Sequence, residues 1–124
     1  MYNLAIGDRT YSSWSLRGWL MFRKFGVPVN IDTARMYSPE FAQMLLTYGG
    51  GKTVPAIRID GQKPVIVSDS LAIAETLAER HPDINFWPSD PSARGFARSI
   101  CAEFHSGFSA LRSQCPMNLR HVYN

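Results

Sequence analysis

A chain of 124 residues, 45% hydrophobic and 19% charged, is long enough for one domain of ordinary size with its own core and has the balance of a globular protein. Its net charge of +3 is mild and its longest basic run is Arg23-Lys24, so the concentrated basic face of a nucleic-acid binder is excluded. No apolar run approaches the roughly eighteen residues of a membrane helix, and Met1 to Ile6 lacks the basic start and cleavage site of a secretory signal, so a cytoplasmic location and no membrane partner are expected.

Tyr2 to Ile6 alternates, with Leu4 and Ile6 on one face, and predicts a first strand. Gly7 to Tyr11 is a polar loop. Ser12-Ser13-Trp14-Ser15 offers several caps before Leu16, Trp19, Leu20, Met21, Phe22 and Phe25, a spacing that predicts a largely buried helix stopped by Gly26 and Pro28. Val29 to Thr33 alternates again. Strand, helix and strand with short joints imply a parallel pair with a right-handed crossover. Ser38-Pro39-Glu40 begins a short helix with a serine cap, a first-turn proline and an acid in the first turn. Phe41, Met44 and Leu45 form its apolar face, and Gly49-Gly50-Gly51 ends it. These glycines suit a hinge; a phosphate loop would need the GxxxxGK[ST] pattern after a strand, which is missing.

Ala56 to Ile59 predicts a third strand, Asp60-Gly61 a hairpin turn, and Val65 to Val67 the returning strand. Pro55 at the head of a strand sacrifices no ladder bond, and it forces Val54 to be extended. A cis Val54–Pro55 bond would bend the chain and leave the Val54 N–H and C=O facing solvent, where an extended peptide could pair with them. Ser68-Asp69-Ser70 precedes a helix running to Arg80 and stopped by Pro82. A helix N-terminus with free N–H groups accepts an anion, and Asp69 adds a negative charge, so the carboxylate and ammonium of an α-amino acid end suit the pair. His81 to Pro91, with three prolines, reads as a linker. Asp90-Pro91 caps a long helix whose stripe is Phe96, Ile100, Phe104, Phe108 and Leu111, closed by Cys115-Pro116. Along one helix Cys101 and Cys115 would lie about 21 Å apart at 1.5 Å per residue, too far for a disulfide. There is no CxxC and no metal-ligand cluster, and His81, His105 and His121 read as surface or helix-end residues.

Two separated motifs, Thr53-Val54-Pro55 and Ser68-Asp69-Ser70-Leu71-Ala72-Ile73, resemble the glutathione-binding half of the glutathione S-transferases. The resemblance implies an α/β thioredoxin-like βαβ-α-ββα domain over residues 1–80, a linker over 81–91, and over 92–124 the opening helix of an all-α domain. It implies that Thr53, Val54 and Pro55 serve the cysteinyl backbone of glutathione, and that Asp69 and Ser70 hold its γ-glutamyl end. Tyr11-Ser12-Ser13-Trp14-Ser15-Leu16-Arg17 resembles the SSCSxR motif of serine-type, zeta-like members, with Trp14 in place of the cysteine, a departure that counts against the isomerase activity of zeta members. By that match Ser12 is the leading thiolate-activating hydroxyl, Ser13 the second and Tyr11 the third. The expected activity is addition of glutathione, a co-substrate needing no metal, to a small electrophile, or glutathione-dependent isomerisation. The alternative is a transferase-like module that binds glutathione or a protein without turnover. With little chain left to cover the phenylalanine stripe, the chain is expected to form a homodimer through that helix or to be a piece of a longer protein, and to turn over electrophiles weakly.

Overall fold

The structure is a computed structural model, and it describes residues 1–122. Four strands, β1 (Tyr2–Ile6), β2 (Asn30–Thr33), β3 (Ala56–Ile59) and β4 (Val65–Ser68), alternate with the helices α1 (Ser13–Phe25), α2 (Pro39–Leu46) and α3 (Ser70–Arg80). The sheet order is β2-β1-β3-β4. β1 and β2 are parallel, joined by α1 as the short connections require, while β3 runs antiparallel to both β1 and β4. This is the thioredoxin-like layer expected from the sequence.

Strand alternation divides the core between the two faces of the sheet. Leu4 and Ile6 of β1 and Ile57 and Ile59 of β3 bury against Phe22 of α1 and Ile73 and Leu77 of α3. Their strand neighbours Ala5 and Ala56 face the other way, toward Phe41 and Leu45 of α2 and toward Tyr48. The Tyr48 hydroxyl donates to Asp32 at 2.6 Å. Burial first, and then that bond, push the phenol far above its usual range.

The caps follow their local chemistry. Ser38 Oγ accepts the Phe41 N–H at 3.2 Å ahead of Pro39. Gly26 ends α1 in the left-handed region at φ 67°, a conformation glycine adopts without penalty. Asp90 caps α4 (Pro91–Ser106), its carboxylate accepting the Ala93 N–H at 2.7 Å.

Three sequence expectations change. The helix after Pro91 is not one element: it stops at Ser106, and α5 (Ser109–Gln114) starts afresh. Gly107 returns its N–H to Glu103 O and Phe108 takes φ 63°, so the stripe from Phe96 to Leu111 bends at its fourth member. Glycine is a poor helix interior residue, which favours a break there. α1 is buried on one side only, since Leu16 and Leu20 stay exposed and only Ser15, Gly18 and Phe22 are enclosed. The 21 Å separation of the cysteines fails with the single helix; both are free and exposed. The end of the expected 92–124 segment, residues 123–124, lies outside the described residues. Among the described residues no helix is long and apolar enough to cross a membrane, and no group of three or more His, Cys, Asp or Glu could hold a metal ion.

Candidate glutathione site

The site lies where the C-terminal ends of β1 and β4 meet the starts of α1 and α3. At α1 the capping residue is Ser12, whose Oγ accepts the Ser15 N–H at 3.2 Å and donates to Ser15 Oγ at 2.8 Å. Ser15 Oγ in turn accepts the Gly7 N–H at 2.9 Å. These buried hydroxyls tie the loop after β1 to the first turn of the helix. The structure therefore commits the Ser12 proton to Ser15. It can be freed for another acceptor by reversing that bond, because Gly7 occupies only a lone pair of Ser15 and leaves its hydroxyl proton able to donate. Ser13 and Tyr11 are exposed, and the Tyr11 ring lies 5.8 Å from the Arg120 guanidinium.

Across from α1, the Val54–Pro55 bond is cis. Val54 enters none of the backbone hydrogen bonds of the loops and turns among the described residues. Gly18 of α1 presses on Pro55 so closely that a Cβ there would stand 2.5 Å from Pro55 Cβ. The absence of a side chain at 18 is thus what lets the helix close on the proline.

At α3 the cap is Asp69, held at φ 157° and ψ 137°, where L-residues are rare. Its Oδ1 accepts the N–H groups of Leu71 at 2.8 Å and Ala72 at 3.1 Å. The helix end is consequently less open to an anion than the sequence suggested, since Asp69 itself satisfies two of the free N–H groups. Oδ2 faces outward and meets His105 Nε2 of α4 at 3.0 Å, while Ser70 Oγ lies 3.5 Å from His105 Nδ1. Thr53, Val54, Pro55, Asp69 and Ser70 line one cavity of about 260 Å³ together with Ser68, Trp14 and His105. Ser12 and Ser13 are not in its wall; they stand beside it at the α1 end.

Trp14 was legible only as a replacement for cysteine. It carries the Arg17 guanidinium 4.3 Å and the Arg112 guanidinium 4.4 Å from its ring centroid, and it meets the His105 ring edge-on at 5.2 Å. Burial, and then the charge of Arg112, lower the Arg17 pKa from its ordinary value. His105 and Arg112 were missed by sequence reasoning. They lie beyond the linker, and no local spacing ties position 105 to position 69. An adjoining apolar cavity of about 520 Å³ separates α1 and α3 from α4, with Met21, Leu71, Ile100, Cys101 and Phe104 among its walls and Ser70 and His105 shared with the first.

The family described as "Glutathione S-transferase, N-terminal domain" matches residues 11–80. A probable maleylacetoacetate isomerase of Caenorhabditis elegans is 33% identical over 105 residues, 85% of this chain and 47% of that protein. The maleylacetoacetate isomerase of Rattus norvegicus is 34% identical over 110 residues, 85% and 48% of the two chains. Among solved structures, a Burkholderia glutathione transferase homolog with bound glutathione superposes with a TM-score of 0.70 at 27% identity, covering 90% of this chain and 57% of that one. A maleylacetoacetate isomerase of Anaeromyxobacter dehalogenans, also with glutathione bound, shares the fold with a TM-score of 0.68 at 22% identity, covering 90% and 52%. The chain spans about half the length of the curated relatives it matches. With more than half of its residues inside the family match and both motifs on one cavity, the chain belongs to the glutathione S-transferase family, whose N-terminal domain it carries.

Proposed function

We propose that the chain binds glutathione in the Trp14–Val54–Asp69 cavity and acts in glutathione transfer, adding the thiolate to a small electrophile or isomerising an unsaturated acid by reversible addition. The observation that carries this reading is the convergence of Val54-Pro55 and Asp69-Ser70 on one cavity beside the start of α1. The Val54 backbone would pair with the cysteinyl residue, with Thr53 and Pro55 shaping that edge. Asp69 Oδ2 would take the ammonium of the γ-glutamyl end and Ser70 its carboxylate. Residues 1–80 are then the glutathione-binding domain, 81–91 the linker and 92–124 the opening of an all-α domain. We place the protein in the cytoplasm, in detoxification chemistry, as a homodimer joined through the exposed apolar face of α4; a monomer by light scattering would remove that last element.

The chemistry required of the protein is modest. A free thiol titrates near 8.5, and moving it down by about two units takes roughly 2.7 kcal/mol. One charge-assisted hydrogen bond plus the positive end of α1 is of that size. Ser12 is the candidate donor through the reversal of its bond with Ser15, and Ser13 is the second. Ser12→Ala is expected to leave glutathione affinity nearly unchanged while raising the pKa of the bound thiol by about one unit or more, read from the ultraviolet absorbance of the thiolate. An unchanged titration would move the role to Ser13 or Tyr11.

A second reading, a module that binds glutathione or a protein without turnover, is favoured by the Ser12 proton resting on Ser15 and by Trp14 standing where the zeta-like motif has cysteine. The enzyme and the glutathione-binding form of the module both require glutathione binding. Only the enzyme requires a lowered thiol pKa.

A further inference from the structure

We propose that His105 is a third ligand for the γ-glutamyl end of glutathione, donating from Nδ1 to its α-carboxylate. This rests on the reading of the cavity as a glutathione site and adds to it a residue from beyond the linker. The α-carboxylate of a bound γ-glutamyl group must sit close to Asp69, because the ammonium on the same carbon is what Asp69 holds. Two carboxylates that near repel unless donors between them outweigh the repulsion. The end of α3 offers little, since Asp69 Oδ1 has already taken the N–H groups of Leu71 and Ala72, leaving the Ser70 N–H and hydroxyl.

His105 fills this deficit. Its Nε2 lies 3.0 Å from Asp69 Oδ2, which fixes the ring and turns Nδ1 away from Asp69. Nδ1 then stands 3.5 Å from Ser70 Oγ, too far apart for a good bond between the two. They lie side by side on the wall of one cavity, so a carboxylate oxygen can accept from both. With Nε2–H on Asp69, Nδ1 can donate only in the doubly protonated ring, and the ligand's carboxylate selects that form. The other charged or titratable groups around the ring are Arg17 of α1, Arg112 of α5 and Cys101 one turn back on α4. The two arginines oppose a second proton on the ring while drawing the ligand's carboxylate to it, and neither makes an ion pair among the described residues.

The test uses the full chain and three ligands in calorimetry: glutathione, its 4-aminobutyryl analogue without the α-carboxylate, and its glutaryl analogue without the ammonium. The wild-type chain is expected to prefer glutathione over the 4-aminobutyryl analogue by roughly 10- to 100-fold, the size of a hydrogen bond to a charged group. His105→Leu should bring that preference toward parity while keeping the preference over the glutaryl analogue. His105→Gln, whose amide N–H can still donate, should keep part of it. If His105→Leu weakens all three ligands equally, the ring only props up Asp69 and the proposal is overturned. It is also overturned if the variant keeps the wild-type pattern, in which case the site reading stands. A wild-type chain that binds none of the three ligands overturns both.

Discussion

The sheet layer and the helices beyond Pro91 handle the same raw material in opposite ways. In residues 1–80 the apolar side chains that meet the sheet find cover: Leu4, Ile57, Ile73 and Leu77 are fully enclosed between the sheet and its helices. α4 and α5 carry an equally apolar stripe, yet neither helix has a buried residue among those described. What these helices give the molecule is polar. His105 reaches Asp69, Arg98 holds Glu75 of α3 at 2.9 Å, and Arg112 stacks on Trp14. Stability thus resides in the first region, and the second adds His105 to the wall of the cavity that the first builds.

The contrast is broken most severely from inside the sheet layer. Phe22→Ala removes a ring enclosed between Leu4 and Ile73 and touching the Tyr2 ring edge-on; a loss of about 3–5 kcal/mol is expected in chemical denaturation. A loss under about 1 kcal/mol would show that this core is looser than its burial implies.

Asp69→Ala tests the seam between the regions. It deletes the α3 cap, the partner of His105 and the proposed ammonium ligand together. Glutathione binding should weaken by about 2 kcal/mol or more, the scale of a charge-assisted bond with its orphaned partner, and calorimetry showing equal affinity would leave Asp69 a cap alone. On the exposed stripe, Phe96→Ala should cost the dilute, monomeric chain no more than about 0.5 kcal/mol, because this side chain is 69% exposed there. A further loss that grows with protein concentration is expected from the proposed dimer through α4, and its absence would count against that interface.

The smallest effect is on the far side of the sheet. The Ser38 hydroxyl holds the Glu40 carboxyl below its usual range. A depressed folded-state pKa contributes stability above the unfolded-state pKa and loses it as pH falls through the folded one. Glu40→Gln should therefore be slightly less stable than the wild type at neutral pH and indistinguishable from it in acid, by thermal melts across that window.

Much of the fold was legible because its signals are local. Ser38-Pro39-Glu40, Gly26 and Asp90-Pro91 each specify a helix end through their own backbone bonds, and the alternation at Leu4–Ala5–Ile6 decides which face each residue takes. The motif at Val54-Pro55 and the one at Asp69-Ser70 could be paired from the chain alone, since resemblance supplied the distance between them. The remainder depended on tertiary placement. The stripe from Phe96 to Leu111 kept helical spacing across the Gly107 break, so periodicity ran straight through a bend. Leu16 and Leu20 had the same apolar character as Phe22, and only the docking of α1 decided which were covered. His105 carried no local mark at all, because its meaning comes from an aspartate on another helix.

Gly18 has a further consequence. Between α1 and Pro55 the gap is set by two surfaces in contact with no side chain between them, a mechanical stop with no adjustable part. The groove's width is thus gauged by a hydrogen atom, and a single methyl at position 18 would wedge the helix away from the proline. Under the proposed reading every polar ligand for glutathione would remain, but set further from its partners across the groove.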